Sequence, residues 1–123
     1  MRIFEYAHML IQTKKVMIRE RRGAAQRAAI LRAFSNTTRL QILELLMKGK
    51  LCVREVSRTL NYQQPNVSQH LALLKSRGLV YSRRRGFEQC YEITKPKLVQ
   101  EMFGLITRLR RLYRITNSRA LAK

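Results

Sequence analysis

A chain of 123 residues, 46% of them hydrophobic, has the length of one domain with room for an arm at either end, and enough apolar residues for one core. Its 26 Lys and Arg against seven acidic residues leave a formal charge of +19, which calls for a polyanionic partner, with nucleic acid first and an acidic membrane surface as the rival. The seven acids are all scattered Glu, and the two His and two Cys form no ligand cluster. This argues against paired-carboxylate catalysis, a structural zinc site or any assembled nucleophile, base and orienter.

In chain order, residues 1–23 alternate apolar patches (Ile3, Phe4, Tyr6, Met9 to Ile11, Val16 to Ile18) with a basic stretch ending Arg21-Arg22-Gly23. They read as a basic arm, helical in part. Glu5 and His8 interrupt the first patch, no small-residue cleavage site follows, and no run reaches the roughly 20 apolar residues of a membrane span. Ala24 to Phe34 is alanine-rich and predicts a first full helix with a small-residue face. Asn36 is placed to cap a second helix in which Leu40, Leu43 and Met47 recur at helical spacing, widened by Ile42 and Leu46 and ended by Gly49.

A third, two-turn helix is expected from Val53 to Leu60, with Val53, Val56 and Leu60 on one side. Asn61-Tyr62-Gln63 makes a polar turn, and Pro65 then stands in the first turn of a helix running to about Ser76, where a missing N–H costs nothing. Val67, Leu71 and Leu74 bury one face of that helix and turn Gln64, Asn66, Ser68, Gln69 and His70 away from the core. Leu79–Ser82 and Gln89–Ile93 read as two strands joined across Arg83-Arg84-Arg85-Gly86-Phe87, a hairpin with a basic tip. Lys95-Pro96 opens a last helix whose Leu98, Met102, Leu105, Leu109 and Leu112 form a seam that wants a partner helix. Residues 116–123 are expected to be a fraying basic tail.

A short helix, a three-residue turn and a second helix exposing small polar groups is the presentation of a helix-turn-helix to a major groove. Amides of Gln and Asn donate to and accept from base edges, and arginines hold phosphates. The candidate DNA contacts are therefore Gln63, Gln64, Asn66, Ser68, Gln69, His70 and Lys75 on residues 53–76, and Arg83, Arg84 and Arg85 on the hairpin. The fold class that follows is mainly α with a small β-hairpin wing, on residues 24–115. The partner is double-stranded DNA, with neither metal nor cofactor expected. A nonspecific, chromatin-like architectural protein would use the same wing and remains the alternative.

The stretches Asn36-Thr37-Thr38-Arg39-Leu40-Gln41-Ile42-Leu43-Glu44-Leu45-Leu46, Leu51-Cys52-Val53, Gln64-Pro65-Asn66-Val67-Ser68-Gln69-His70-Leu71 and Gly78-Leu79-Val80 resemble the ArsR/SmtB-type winged-helix repressors. The resemblance covers about residues 25–112. It implies a cytoplasmic, nucleoid-associated homodimer built through the first and last helices. Two recognition helices would meet successive major grooves of an imperfect palindrome, and an inducer, unknown here, would release the DNA. Metal sensors of this type often carry a second cysteine two positions after the one matching Cys52, or His and Asp ligands on the last helix. Here Arg54 stands in that place, and Pro96 to Tyr113 has neither His nor Asp. Cys52 has two readings: a buried spacer, or a thiolate between Lys50 and Arg54 that senses oxidants. Cys90 lies in the second wing strand, whereas disulfide-switch members pair this region with a cysteine on the last helix. The spacing of the two cysteines indicates no disulfide scaffold, and a Cys52–Cys90 bond is not assumed.

Overall fold

The computed structural model describes residues 2–121, with side chains as far as residue 117. Two compact units are distinguished, residues 1–36 and 37–123. The first consists of one helix, α1 (Ile3–Phe34), with Glu5 in its first turn, where a carboxylate suits the helix dipole. It runs unbroken through Gly23, so the arm and the first full helix of the sequence reading are one element. A lone glycine costs about 1 kcal/mol in a helix, too little to end one flanked by Glu20-Arg21-Arg22 and by Ala24 to Ala29. Its apolar residues from Ile3 to Ile18 are all exposed, while Ala33 and Phe34 are buried at its end.

The second unit is a helical cluster closed by a small sheet, in the order α2 (Thr37–Leu46), β1 (Leu51–Cys52), α3 (Val53–Leu60), α4 (Gln64–Ser76), β2 (Val80–Arg85), β3 (Glu88–Ile93) and α5 (Pro96–Leu121). Its core is Ile42, Leu43 and Leu46 of α2, Val53 and Val56 of α3, Val67, Leu71 and Leu74 of α4, then Val80, Tyr91, Ile93 and Val99. These are the positions that helical and strand periodicity select, and burying each Leu or Ile side chain is worth about 1.5–3 kcal/mol.

The α3–α4 turn is fixed locally. Asn61 takes the left-handed conformation (φ 57°, ψ 44°), Tyr62 N–H donates to Ser57 O at 3.1 Å, and Ser57 Oγ donates to Tyr62 O. The Tyr62 hydroxyl reaches α2, donating to Gln41 Oε1 at 2.7 Å. At the other end of α4 a Schellman arrangement stops the helix. Gly78, at φ 76°, donates to Lys75 O, and Leu79 N–H donates to Leu74 O, both at 3.0 Å.

The sheet is antiparallel in the order β1-β3-β2. The arginine triplet, expected in a loop, lies inside β2, because the hairpin closes in only two residues, Gly86 and Phe87. The positive φ of Gly86, 64°, fits the first central place of a type II′ turn, whose twist matches the strands it joins. At the C-terminus α5 continues to Leu121 where a fraying tail was expected, and residues 122 and 123 of that tail lie outside the described residues, as does the Arg119 side chain. No helix among the described residues is long and apolar enough to cross a membrane.

Candidate nucleic-acid interface

The presented face of α4 follows from its buried one. Val67, Leu71 and Leu74 repeat at four and three and are fully buried. That leaves Gln63, at the N-cap, with Gln64, Asn66 and Gln69 exposed, and Ser68 and His70 half-buried. Pro65 in the first turn removes an N–H that has no helical partner there, so it starts the helix without weakening it. Four amides and one hydroxyl thus share one helix and its N-cap.

His70 is not a free reader. Nη1 of Arg39, on α2, donates to its Nδ1 at 3.3 Å, and burial first, then the Arg39 charge, holds its pKa below 6.5. The ring is neutral at pH 7, and an accepting Nδ1 leaves the proton on Nε2 as the donor. Lys75, also among the expected contacts, donates from Nζ to Ser82 Oγ at 2.8 Å and so ties the end of α4 to the wing.

Strand alternation divides the three arginines. Val80, Ser82 and Arg84 lie on one face opposite Ile93, Tyr91 and Gln89, whereas Tyr81, Arg83 and Arg85 lie on the other opposite Glu92, Cys90 and Glu88. The Lys75–Ser82 bond shows that the first face is turned toward α4, so Arg84 stands on the side of the recognition helix. Arg83 instead sits 5.5 Å from the Tyr81 ring centroid, and the Tyr81 hydroxyl donates to Glu92 Oε2 at 2.5 Å. That hydrogen bond, more than burial, raises the Tyr81 pKa above 10.

Several residues were missed by the sequence reading. Arg39 joins His70 from a different helix, a pairing that only the fold reveals. Arg54, at the start of α3, makes an ion pair at 3.9 Å with Glu88 at the start of β3. Between them and α4 opens a cleft of about 220 Å³, lined by Val53 and Arg54 of α3, Gln64 and Ser68 of α4, and Phe87, Glu88 and Gln89 of the hairpin. The nearest sequence signal is Phe87, a large aromatic beside the turn glycine. The cysteines lie where expected, Cys52 buried and Cys90 in the second wing strand, but they are bonded to each other, which their spacing did not indicate. Cys52 and Cys90 are register partners on β1 and β3, both buried, and joined by a disulfide. The pairing was hidden because β1 is a strand of only two residues, too short to leave a periodic pattern. The Cys52 N–H donates to Glu55 Oε1 at 3.2 Å, securing the start of α3.

The family model described as "Bacterial regulatory protein, arsR family" matches residues 36–82, which span α2, the helix-turn-helix and the start of the wing. An uncharacterized HTH-type transcriptional regulator of Methanocaldococcus jannaschii is 39% identical over 83 residues, covering 67% of this chain and 92% of that one. The transcriptional activator HlyU of Vibrio cholerae is 36% identical over 88 residues, covering 72% and 81%. Among solved structures, the homodimeric winged helix-turn-helix DNA-binding domain Mb0332 of Mycobacterium bovis shares 33% identity at a TM-score of 0.67, over 77% of this chain and 87% of that one.

Proposed function

Since the chain belongs to the ArsR family of bacterial regulatory proteins, and is thus a winged helix-turn-helix transcription regulator and not an enzyme, we propose that it acts as a homodimeric repressor at a palindromic operator. The observation that carries this reading is α4. It is a helix buried on one side by Val67, Leu71 and Leu74, and on the other it presents a row of uncharged hydrogen-bonding groups beside an arginine-bearing wing.

In this reading Gln63, Gln64, Asn66, Ser68 and Gln69 read base edges in the major groove. His70 positions the helix through Arg39, and Lys75 holds the wing. Arg84 is the wing's main phosphate contact, Arg85 assists it, and Arg83, stacked on Tyr81, contributes least. Two copies join through the first and last helices, which suits the exposed Leu98, Leu105, Leu109 and Leu112 of α5. The basic first half of α1 tracks the DNA backbone or lengthens that interface. The dimer works in the cytoplasm, on the nucleoid, and represses by occupying promoter DNA.

Selection of binding sites from random duplexes, followed by competition gel shifts, tests the assignment. Changing Ser68 and Gln69 together to Ala abolishes discrimination between operator and random DNA and leaves the dimer intact. Unchanged selectivity refutes the base-reading role. Uniform coating of genomic fragments in a footprint, in place of one protected palindrome, supports the architectural alternative. A promoter reporter that rises with this protein reverses the sign of regulation.

The Cys52–Cys90 bond favours a signal carried by thiol chemistry. Two thiols lose two electrons and two protons to an oxidant of the peroxide or disulfide class, and the bond formed ties the start of α3 to the middle strand of the wing. Operator binding that differs between diamide-treated and reduced protein, and is insensitive in Cys90→Ser, supports this. Indifference in wild type removes it.

A further inference from the structure

We propose that the cleft between α4 and the wing seats the sugar-phosphate backbone of one DNA strand, with Arg54 as its phosphate ligand. Glu88 occupies Arg54 in the free protein as an intramolecular stand-in for phosphate. The proposal rests on the DNA-binding reading and assigns a contact that the recognition helix and the arginine triplet do not provide.

A helix in the major groove and a wing beside it must pass a backbone between them, and this cleft lies between those two elements. Its lining has the required chemistry. Arg54 is the one full cation among the lining residues and Gln89 offers a neutral amide donor suited to a phosphate oxygen, while Gln64 and Ser68 border the cleft from α4. Phe87 is 106% exposed at the turn, with no apolar surface to cover it, and its ring is placed to lie against the carbon face of a deoxyribose. The Arg54–Glu88 pair is built for exchange. It is a single contact from Nε at 3.9 Å, not a bidentate one, and the two side chains are 66% and 44% exposed. Such a pair is weak, and a phosphate presenting several acceptor oxygens displaces the carboxylate.

The test uses fluorescence anisotropy with a labelled random-sequence duplex of about 30 base pairs over a series of KCl concentrations, because backbone contacts are indifferent to sequence. Arg54→Gln is expected to weaken binding and to reduce the slope of log Kd against log salt by about 0.9 for each subunit that loses a phosphate contact. Glu88→Gln tightens binding several-fold in the wild-type background and has no effect in the Arg54→Gln background. Phe87→Ala weakens binding without changing the slope, and Phe87→Leu restores most of it. An equal gain from Glu88→Gln in both backgrounds means general repulsion and overturns the gating role. An unchanged slope in Arg54→Gln overturns the seat. Failure of the wild-type protein to bind any duplex refutes the DNA-binding reading itself, a result distinct from both. Circular dichroism of each variant confirms the fold, which these exposed side chains do not hold together.

Discussion

Reduction of the Cys52–Cys90 bond should cost the protein much of its stability. The two cysteines are separated by 38 positions, and the loop they close contains α3, α4 and β2, nearly the whole DNA-reading apparatus. Loop-closure entropy for a ring of that size gives about 4 kcal/mol at 25 °C. Both cysteines are buried, so the thiols produced by reduction stay packed and little contact energy is lost. The effect therefore falls mainly on the unfolded chain. Domains of this size have roughly 5–15 kcal/mol in total, so the bond is a large fraction of the whole. With a urea dependence of about 2 kcal/mol per molar, the midpoint should move by about 2 M. Unfolding is followed by circular dichroism at equal protein concentrations, since a dimer's midpoint depends on concentration. The oxidised protein is compared with protein held in a non-thiol reductant. Cys52→Ala/Cys90→Ala should unfold at the reduced midpoint or slightly below it, having lost packing as well. Coincident midpoints for oxidised and reduced protein would refute the argument, because the same chain would then gain nothing from a bridge across its recognition elements.

The remaining predictions concern single features. Burial and Arg39 lower the His70 pKa, so the unfolded chain takes up this proton first. Stability from this group is complete above pH 6.5 and is lost as pH falls from there through the folded-state pKa, and His70→Gln should flatten that limb of a stability profile. Gly86→Ala places a side chain in open space but at φ 64°, so it should cost about 1–2 kcal/mol in thermal or urea unfolding through backbone strain alone. Leu105→Glu/Leu109→Glu, on the exposed seam of α5, should convert a dimer into monomers by sedimentation, and an unchanged dimer would remove this face from the interface.

The helix-turn-helix was legible because its signals are local. Apolar spacing, a polar three-residue turn and a proline in the first turn each act within a few residues of the chain, and they place α3 and α4 correctly. No break in α1 falls at Gly23, because a glycine's cost is small against the helix propensity on either side. Three charged residues before a glycine have the pattern of a turn, whereas cross-strand pairing with Glu88, Gln89 and Cys90 extends β2 to Arg85. Arg39 with His70, Arg54 with Glu88 and Cys52 with Cys90 are separated by 31 to 38 positions, and nothing periodic connects them. Only the register of a two-residue strand and the crossing of helices bring them together.

The distribution of charge along the chain implies a division of labour that can be measured. Between Arg58 and Lys75 there is no Lys, Arg or Glu, in a protein where 27% of residues are charged. In the proposed reading the recognition helix discriminates with neutral groups, whose hydrogen bonds to base edges release no counterions, while arginines outside it supply affinity through phosphates. Salt should then weaken binding to operator and random DNA in parallel and leave their ratio nearly constant. Arg84→Gln should reduce the salt slope by about 0.9 per subunit and leave the ratio unchanged. Ser68→Ala/Gln69→Ala should collapse the ratio and leave the slope unchanged. If the arginine change alters the ratio as much as the slope, the wing reads sequence or shape as well as charge, and specificity can no longer be assigned to α4 alone.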